Sequence, residues 1–175
     1  MKKISEVFVN GVCLEKILED HQKWLNNYTG RKAVLCDLDL KRIDFRGVDL
    51  SYINFENSNL EGCNFENANL EHANFENSNL EECNFENANL FKTIFINAEL
   101  NCSNFSNTNC VHTCFINAKL RGACFRKTNL ECANLYCSDL REVDMRGANF
   151  EYIILTGANM RGAYIFRTYF HEIKW

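Results

Sequence analysis

The sequence of 175 residues contains no proline and only eight glycines. Proline lacks the backbone N–H group that a hydrogen-bonded ladder needs, and it interrupts both helix interiors and central strands. Its complete absence indicates a chain in which nearly every backbone amide donates a hydrogen bond. We therefore expect a regular architecture with short turns.

Basic residues are too few to give an excess of positive charge. Nineteen Lys and Arg oppose 23 Asp and Glu, so the formal net charge is -4 and the pI is near 5.6. Proteins that bind nucleic acid usually carry a basic excess or a basic face, so direct nucleic-acid binding is not expected. The ten cysteines are scattered through the chain and are expected to be reduced thiols, as is usual in a cytosol.

Long apolar runs are also missing. No run approaches the roughly 18 residues that a transmembrane helix needs. The N-terminal MKKISEVFVNGV has two lysines but neither the apolar region nor the cleavage site of a signal peptide. These features predict a cytoplasmic protein with no membrane partner.

A period of five residues organises the chain. Every fifth residue from Leu35 to Phe170 is apolar, with Cys110 the least hydrophobic, and a small or β-branched residue such as Ala68 lies two positions earlier. A five-residue period advances about 140° per step around an α-helix, so no apolar face would form. In extended chain, residues two apart point the same way. Both residues of each pair are therefore predicted to enter a core.

A longer repeat in the sequence indicates the number of pentads in one coil. NFENSNLEGCNFENANLEHA at 54–73 returns almost unchanged at 74–93, which indicates four pentads per coil and hence four faces. Successive coils would pair as parallel strands about 4.8 Å apart, so about seven coils would form a rod about 34 Å long. The predicted fold class is all-β, a right-handed quadrilateral parallel β-helix.

The pattern A-[DN]-[LF]-x-x, as in Ala68-Asn69-Leu70 and Ala148-Asn149-Phe150, resembles the pentapeptide repeat family. The resemblance covers 33–170 without a break in register. It implies the same four-sided solenoid, and it places any function on the outer surface.

The repeat also suggests how the chain is divided. We expect an N-terminal segment at 1–32, the β-helix at 33–170 and a C-terminal tail at 171–175. Apolar residues follow helical spacing within the first segment, which predicts an amphipathic helix at about 13–26 that covers the first coil. Such a cover is expected, because an open strand edge templates aggregation.

Aromatic residues are dense at the C-terminal end. This end is a candidate cap or a candidate contact of a symmetric homodimer. The residues proposed for it are Phe166, Tyr169, Phe170, Ile173 and Trp175.

Catalytic, cofactor and metal sites are not expected. In CVHTC at 110–114 the predicted geometry places Cys110 in the core and Cys114 outside, so the two thiols do not converge on one ion. His72 and His112 share a column but lie two coils, about 10 Å, apart. The sequence contains no Gly-rich phosphate loop and no nucleophile elbow. A non-enzymatic protein without cofactor is predicted.

Cys63 and Cys83 occupy one inward column in adjacent coils. Their spacing could permit a disulfide. Tight packing by free thiols is favoured, because a free Cys behaves as a small hydrophobe.

Acidic residues concentrate in one band, which we call the acidic belt. No Lys or Arg occurs from 51 to 90. Carboxylates on all four faces could imitate a phosphate backbone and occupy a basic groove; alternatively, duplicated pentads copied a solubilising Glu. The belt consists of Glu56, Glu61, Glu66, Glu71, Glu76, Glu81, Glu82 and Glu86.

An apolar patch is predicted beside the belt, at positions that are polar elsewhere in the repeat. It could mark a partner site, or it could reflect drift of the repeat. Its members are Phe91, Ile94, Ile96, Val111, Ile116 and Tyr136.

Within the family that the chain resembles, members of the fluoroquinolone-resistance Qnr type are dimeric rods that bind DNA gyrase and topoisomerase IV as DNA mimics. The resemblance implies a DNA mimic that binds a type II topoisomerase and modulates quinolone sensitivity. Loops commonly interrupt the repeat of those members, and their charge is spread more evenly; this chain differs in both respects. The alternative is a protein-protein interaction scaffold that uses the apolar patch and is unrelated to DNA enzymes.

Overall fold

The computed structural model describes residues 1–174 and, at Phe170, the backbone alone. Strands within the repeat are short because a turn follows every pentad. In chain order they are β1 (Lys2–Lys3), a 3-10 helix (Ile4–Glu6), β2 (Phe8–Val9), β3 (Val12–Cys13), α1 (Leu14–Asn27), β4 (Ile43–Asp44), β5 (Asn149–Glu151) and β6 (Tyr169–His171).

The predicted four-sided parallel β-helix is confirmed. Parallel bridges join each residue between the two core positions of a pentad to the residue twenty positions later, from Val34↔Asn54 to Ile154↔Lys174. We number the faces by the pentad centres of one coil: Phe55, Leu60, Phe65 and Leu70 lie on faces 1, 2, 3 and 4.

The turns between faces are uniform. In the pentad centred on Phe55, the amide of Ser58 donates to the carbonyl of Phe55 at 3.1 Å, and Asn57 adopts a left-handed φ of 57°. Asn tolerates this conformation better than most residues. The second residue after each centre therefore occupies a corner, which explains why Asn recurs there.

Two ladders of stacked Phe rings fill the core from faces 1 and 3. On face 3 the ring of Phe85 stacks on Phe65 at 5.0 Å and on Phe105 at 4.9 Å. The two ladders meet edge to face, as between Phe65 and Phe75 at 5.8 Å. Opposite faces therefore carry Phe, as the ten-residue alternation predicts.

Small polar residues also enter the core. The hydroxyl of Ser78 donates to the carbonyl of Phe55 at 2.7 Å, and that of Thr93 donates to the carbonyl of Leu70 at 2.8 Å. Over the described residues, every buried side-chain nitrogen and oxygen has a hydrogen-bond partner. Ser and Thr are thus compatible with this core because the preceding coil supplies an acceptor.

The N-terminal residues close the first coil. The helix α1 buries Leu14, Leu18 and His21, and it begins and ends one residue later than the sequence predicts. In addition, β1 pairs in parallel with β4, so that Lys2 lies opposite Ile43. The strand edge of face 3 is therefore covered by β1, whereas α1 contacts face 4, where the Gln22 side chain donates to the carbonyl of Asp49 at 2.6 Å.

The C-terminal coil ends with β6, which pairs in parallel with β5. Phe166 and Tyr169 are 69% and 57% exposed, whereas Ile173 is partly buried against the core. Trp175 and the side chain of Phe170 lie outside the described residues. The proposed C-terminal contact therefore has two exposed aromatic side chains in the structure.

Candidate functional site

The outer surface of the rod is built from three positions of each pentad. The Asn or Asp before the centre accepts a hydrogen bond from the backbone N–H two residues later, as from Glu56 to Asn54 at 3.0 Å and from Glu66 to Asn64 at 2.9 Å. This bond fixes the backbone from which the first residue after the centre projects. Outward side chains therefore stand in regular columns, with one member per coil.

The acidic belt encircles the second and third coils as the sequence predicts from the register. Glu82 is exposed and the other seven carboxylate residues are partly exposed. Glu61 pairs with Lys41 at 3.1 Å, and Glu71 lies 3.7 Å from the His72 ring nitrogen Nε2. Among the described residues, no other belt carboxylate forms an ion pair, so most of the belt charge faces solvent.

The apolar patch lies on faces 1 and 4, with Phe91 and Val111 on face 4 and the other members on face 1. Tyr136 is 45% exposed, whereas its other five members are partly buried. Side chains of adjacent coils lie about 4.8 Å apart, so Ile96 and Ile116 cover part of each other's surface. The patch is flatter and less exposed than isolated outward residues would be.

An aromatic column runs beside the patch. The Tyr52 and His72 rings stack at 4.7 Å, and Phe91 contacts the rings of His72 and His112 edge to face at 6.1 and 5.9 Å. Trp24 of α1 joins the same column through Tyr52 at 6.3 Å. His72 and His112 are thus separated by a Phe ring. In the described part of the chain, no group of three or more His, Cys, Asp or Glu could hold a metal ion.

Basic residues gather on faces 2 and 3 of the last three coils. Arg121 pairs with Glu142 at 2.8 Å, and Arg141 pairs with Asp139 at 2.6 Å. Hydrogen bonding from Arg141 holds the pKa of Asp139 below its usual range. The rod therefore carries opposite charge on two separate lengths of its surface.

Free thiols occupy both the core and the surface. Cys63 and Cys83 are unbridged, and their sulfurs donate to the carbonyls of Leu40 and Leu60 at 3.0 and 3.1 Å. A carbonyl of the preceding coil therefore accepts a hydrogen bond from each of these thiols, as it does from the buried Ser and Thr hydroxyls.

Iodoacetamide at pH 8 should label Cys102 and Cys137 first and leave Cys63, Cys83 and Cys110 unmodified in the folded protein. The first two thiols are exposed and the last three are buried. Burial raises the pKa of all three buried thiols, to about 12 at Cys63 and Cys110, and only the thiolate reacts. Mass spectrometry of peptides would give the order of labelling, with protein unfolded in guanidinium as the control. Early labelling of Cys83 would contradict a closed core.

The fold and its surface define a β-helical solenoid whose side chains point either into a closed core or out to solvent. The family model for pentapeptide repeats matches residues 39–77, 50–87, 68–107, 83–122, 123–162 and 144–172. The chain belongs to the pentapeptide repeat family. Members of this family are generally non-catalytic scaffolds that bind proteins, and no enzyme family matches the chain.

Solved structures agree with this assignment. HetL, a pentapeptide repeat protein involved in heterocyst differentiation regulation from Nostoc sp. strain PCC 7120, is 19% identical, with 81% of this chain and 86% of HetL covered and a TM-score of 0.64. A pentapeptide repeat protein of the Arabidopsis thaliana thylakoid lumen is 30% identical, with 56% and 68% covered and a TM-score of 0.55. The likeness to HetL shows the fold alone.

QnrB1, a plasmid-mediated fluoroquinolone resistance protein, is 20% identical, with 75% of this chain and 71% of QnrB1 covered. The TM-score between the two structures is 0.48. A comparison with curated proteins found no significant match. No helix in the described residues has the length and apolar character required to cross a bilayer.

Proposed function

We propose that this chain is a protein-binding rod that imitates DNA and occupies the basic DNA-binding groove of a type II topoisomerase such as DNA gyrase. The observation that carries the proposal is the acidic belt: eight carboxylates and no Lys or Arg between 51 and 90, on coils held rigid by a continuous hydrogen-bond ladder. Modulation of quinolone sensitivity would follow from competition with DNA for that groove.

The charge density of the belt supports the imitation. Eight carboxylates over two coils of about 4.8 Å correspond to one charge per about 1.2 Å of rod, against about 1.7 Å of helix axis in duplex DNA. A groove lined by Lys and Arg would therefore meet a local field similar to that of its natural substrate. The belt is two coils long, so it would engage one short section of such a groove.

Purified protein should change the supercoiling activity of DNA gyrase, measured with and without a quinolone. The variant Glu66→Lys with Glu86→Lys reverses two belt charges in one column of face 3. It should raise the protein concentration needed for half of the maximal effect on gyrase about tenfold or more, equivalent to about 1.4 kcal/mol of binding free energy. Glu131→Lys with Glu151→Lys is the matched control, because it makes the same charge change at equivalent positions of face 4 outside the belt.

The control variant should behave as the wild type. The wild-type protein could, at micromolar concentration, leave supercoiling by gyrase unchanged and also leave unchanged the inhibition and poisoning of gyrase by the quinolone. That result would contradict the topoisomerase proposal. An equal loss in both variants would show that total charge, rather than the belt, is responsible.

The second candidate function is a protein scaffold that binds through face 1. Ile96, Ile116 and Tyr136 form a continuous outward column there, next to the aromatic column of face 4. If the wild type has no effect on gyrase, this function remains; if instead an effect on supercoiling survives reversal of the belt and is lost in Ile96→Ser with Ile116→Ser, face 1 rather than the belt contacts the partner.

A further inference from the structure

A cleft of about 300 Å³ lies on face 3 of the last three coils, and its first residue, Arg126, is two coils beyond Glu86 of the acidic belt. Two outward columns line it. The first residue after each centre supplies Arg126, Arg146 and Phe166, and the corner residue supplies Lys127, Gly147 and Arg167. We call this the basic cleft.

Gly147 forms the floor of the basic cleft. A Cβ added at Gly147 would meet only the Cγ atom of Lys127, at 3.7 Å. Lys127 and Arg167 belong to the coils on either side of Gly147, about 10 Å apart. The missing side chain therefore leaves an opening between two cationic walls.

One carboxylate holds the two other cations in place. The Arg146 atoms Nε and Nη2 donate to Asp144 at 2.8 and 2.7 Å, and Arg126 donates to the same carboxylate from Nε. Hydrogen bonding from Arg146, together with that from Arg126, holds the pKa of Asp144 well below its usual range. Each guanidinium keeps further N–H groups for a ligand.

The remaining two cations are Lys127 and Arg167. Among the described residues neither Lys127 nor Arg167 forms an ion pair, and the Arg167 guanidinium lies 5.3 Å from the centre of the Phe166 ring. Four cations surround one carboxylate, which leaves a local surplus of three positive charges. Such a surplus around one opening favours an anion of multiple charge.

The same local sequence elsewhere on the rod lacks this surplus. Asp44-Phe45-Arg46-Gly47 reproduces Asp144-Met145-Arg146-Gly147, and Arg46 binds Asp44 at 2.7 Å. In the next coil, however, Glu66 and Asn67 occupy the two columns. The surplus thus comes from the stacking of three particular coils rather than from the repeat itself.

We propose that the basic cleft binds a dianionic phosphate monoester. Planar guanidinium groups match phosphate oxygens with paired N–H donors, and a monoester carries nearly two charges at pH 7. A phosphorylated side chain of a protein and a small phosphorylated metabolite share this chemistry. The site is separate from the acidic belt and does not depend on the topoisomerase proposal.

Isothermal titration calorimetry of the full chain with O-phosphoserine peptide, AMP and inorganic phosphate tests the proposal. All three should bind, more weakly as salt concentration rises. Tighter binding of the peptide, relative to its unphosphorylated form, would identify a phosphoprotein as the source. Tighter binding of AMP would identify a nucleotide whose base contacts Phe166. Absence of binding by every probe at millimolar concentration would overturn the proposal.

Gly147→Glu is the sharpest variant, because it places a carboxylate on the floor of the basic cleft. The repeat accepts Glu at this position, since Glu82 and Glu142 adopt φ values of 57° and 60° at equivalent corners. Phosphate binding should weaken at least about tenfold. Gly47→Glu makes the same change on the same face outside the cleft and should leave binding unchanged.

Lys127→Gln with Arg167→Gln removes the two unpaired cations without filling the cleft. It should weaken binding to a similar extent, and both residues are exposed, so the fold should be retained. Equal weakening by Gly47→Glu, or full affinity in the Lys127→Gln and Arg167→Gln variant, would refute the assignment.

Discussion

Replacing Phe85 with alanine should lower the free energy of unfolding by about 3–5 kcal/mol. The ring is fully buried. It stacks between Phe65 and Phe105, and it meets Phe75 and Phe95 edge to face at 6.3 and 5.7 Å. The four walls are tied together by coil-to-coil hydrogen bonds, so they cannot close around the missing ring. Urea denaturation followed by circular dichroism would measure the loss.

Phe91→Ala is the matched control for the core variant. It removes the same atoms from an outward, partly buried position, and we expect a loss below about 1.5 kcal/mol, since less surface returns to water. Equal losses at Phe85 and Phe91 would contradict a core supported by the ring ladders.

Replacing His21 with alanine should lower the free energy of unfolding by about 2–4 kcal/mol, because it empties a buried site and leaves two backbone groups without partners. His21 is fully buried in α1. Its Nε2 lies 3.0 Å from the carbonyl of Ser51, and the amide of Ala33 donates to Nδ1 at 3.1 Å. This pair of bonds requires the neutral ring with the proton on Nε2.

The same side chain should make stability depend on pH. Burial lowers the pKa of His21 from the usual 6.5. Just below pH 6.5 the ring therefore takes up a proton in the unfolded chain but stays neutral in the folded protein. Stability from this group is therefore complete above pH 6.5 and falls as the pH drops through the folded pKa. The slope cannot exceed about 1.4 kcal/mol per pH unit for one proton.

Denaturation at pH 7.5 and pH 5.0 would test this dependence. The wild type should be less stable at pH 5.0, and His21→Ala should lose most of the difference. Arg side chains lower the carboxyl pKa values of Asp44, Asp139 and Asp144. These carboxyl groups titrate below pH 5.0, so they do not contribute to the difference between pH 7.5 and pH 5.0. His112→Ala alters an exposed ring and should keep the wild-type difference.

The five-residue period predicts the faces, the register and most of the core, because each pentad repeats one local solution to burial. The prediction is wrong at the pentad centre Ile165, which is 42% exposed because, in the described residues, the last coil has a neighbour on one side alone. The strand β1 could not be predicted in this way. Lys2 and Lys3 are exposed and show no apolar alternation, since β1 pairs with β4 through backbone groups alone. Its place depends on the hairpin β2–β3 and α1 packing against the first coil.

The surface was predictable only in part. The acidic belt can be predicted from the five-residue register alone, because its members are close in sequence. The basic cleft combines residues twenty and forty positions apart, and a comparison of columns, rather than of neighbours, is the signal that would have found it. The aromatic column depends on ring orientation as well, since Phe91 reaches His72 and His112 from a different pentad position.

Coil-to-coil pairing at a constant offset of twenty residues also fixes distances along the outside of the molecule. Each complete coil adds one step of about 4.8 Å, and stability in such solenoids is roughly a sum of neighbouring contacts. Insertion of one coil near residue 100 would increase the distance between the acidic belt and the basic cleft by about 4.8 Å and leave both intact. The number of coils between the acidic belt and the basic cleft would therefore set the distance between the two partners that we propose for them.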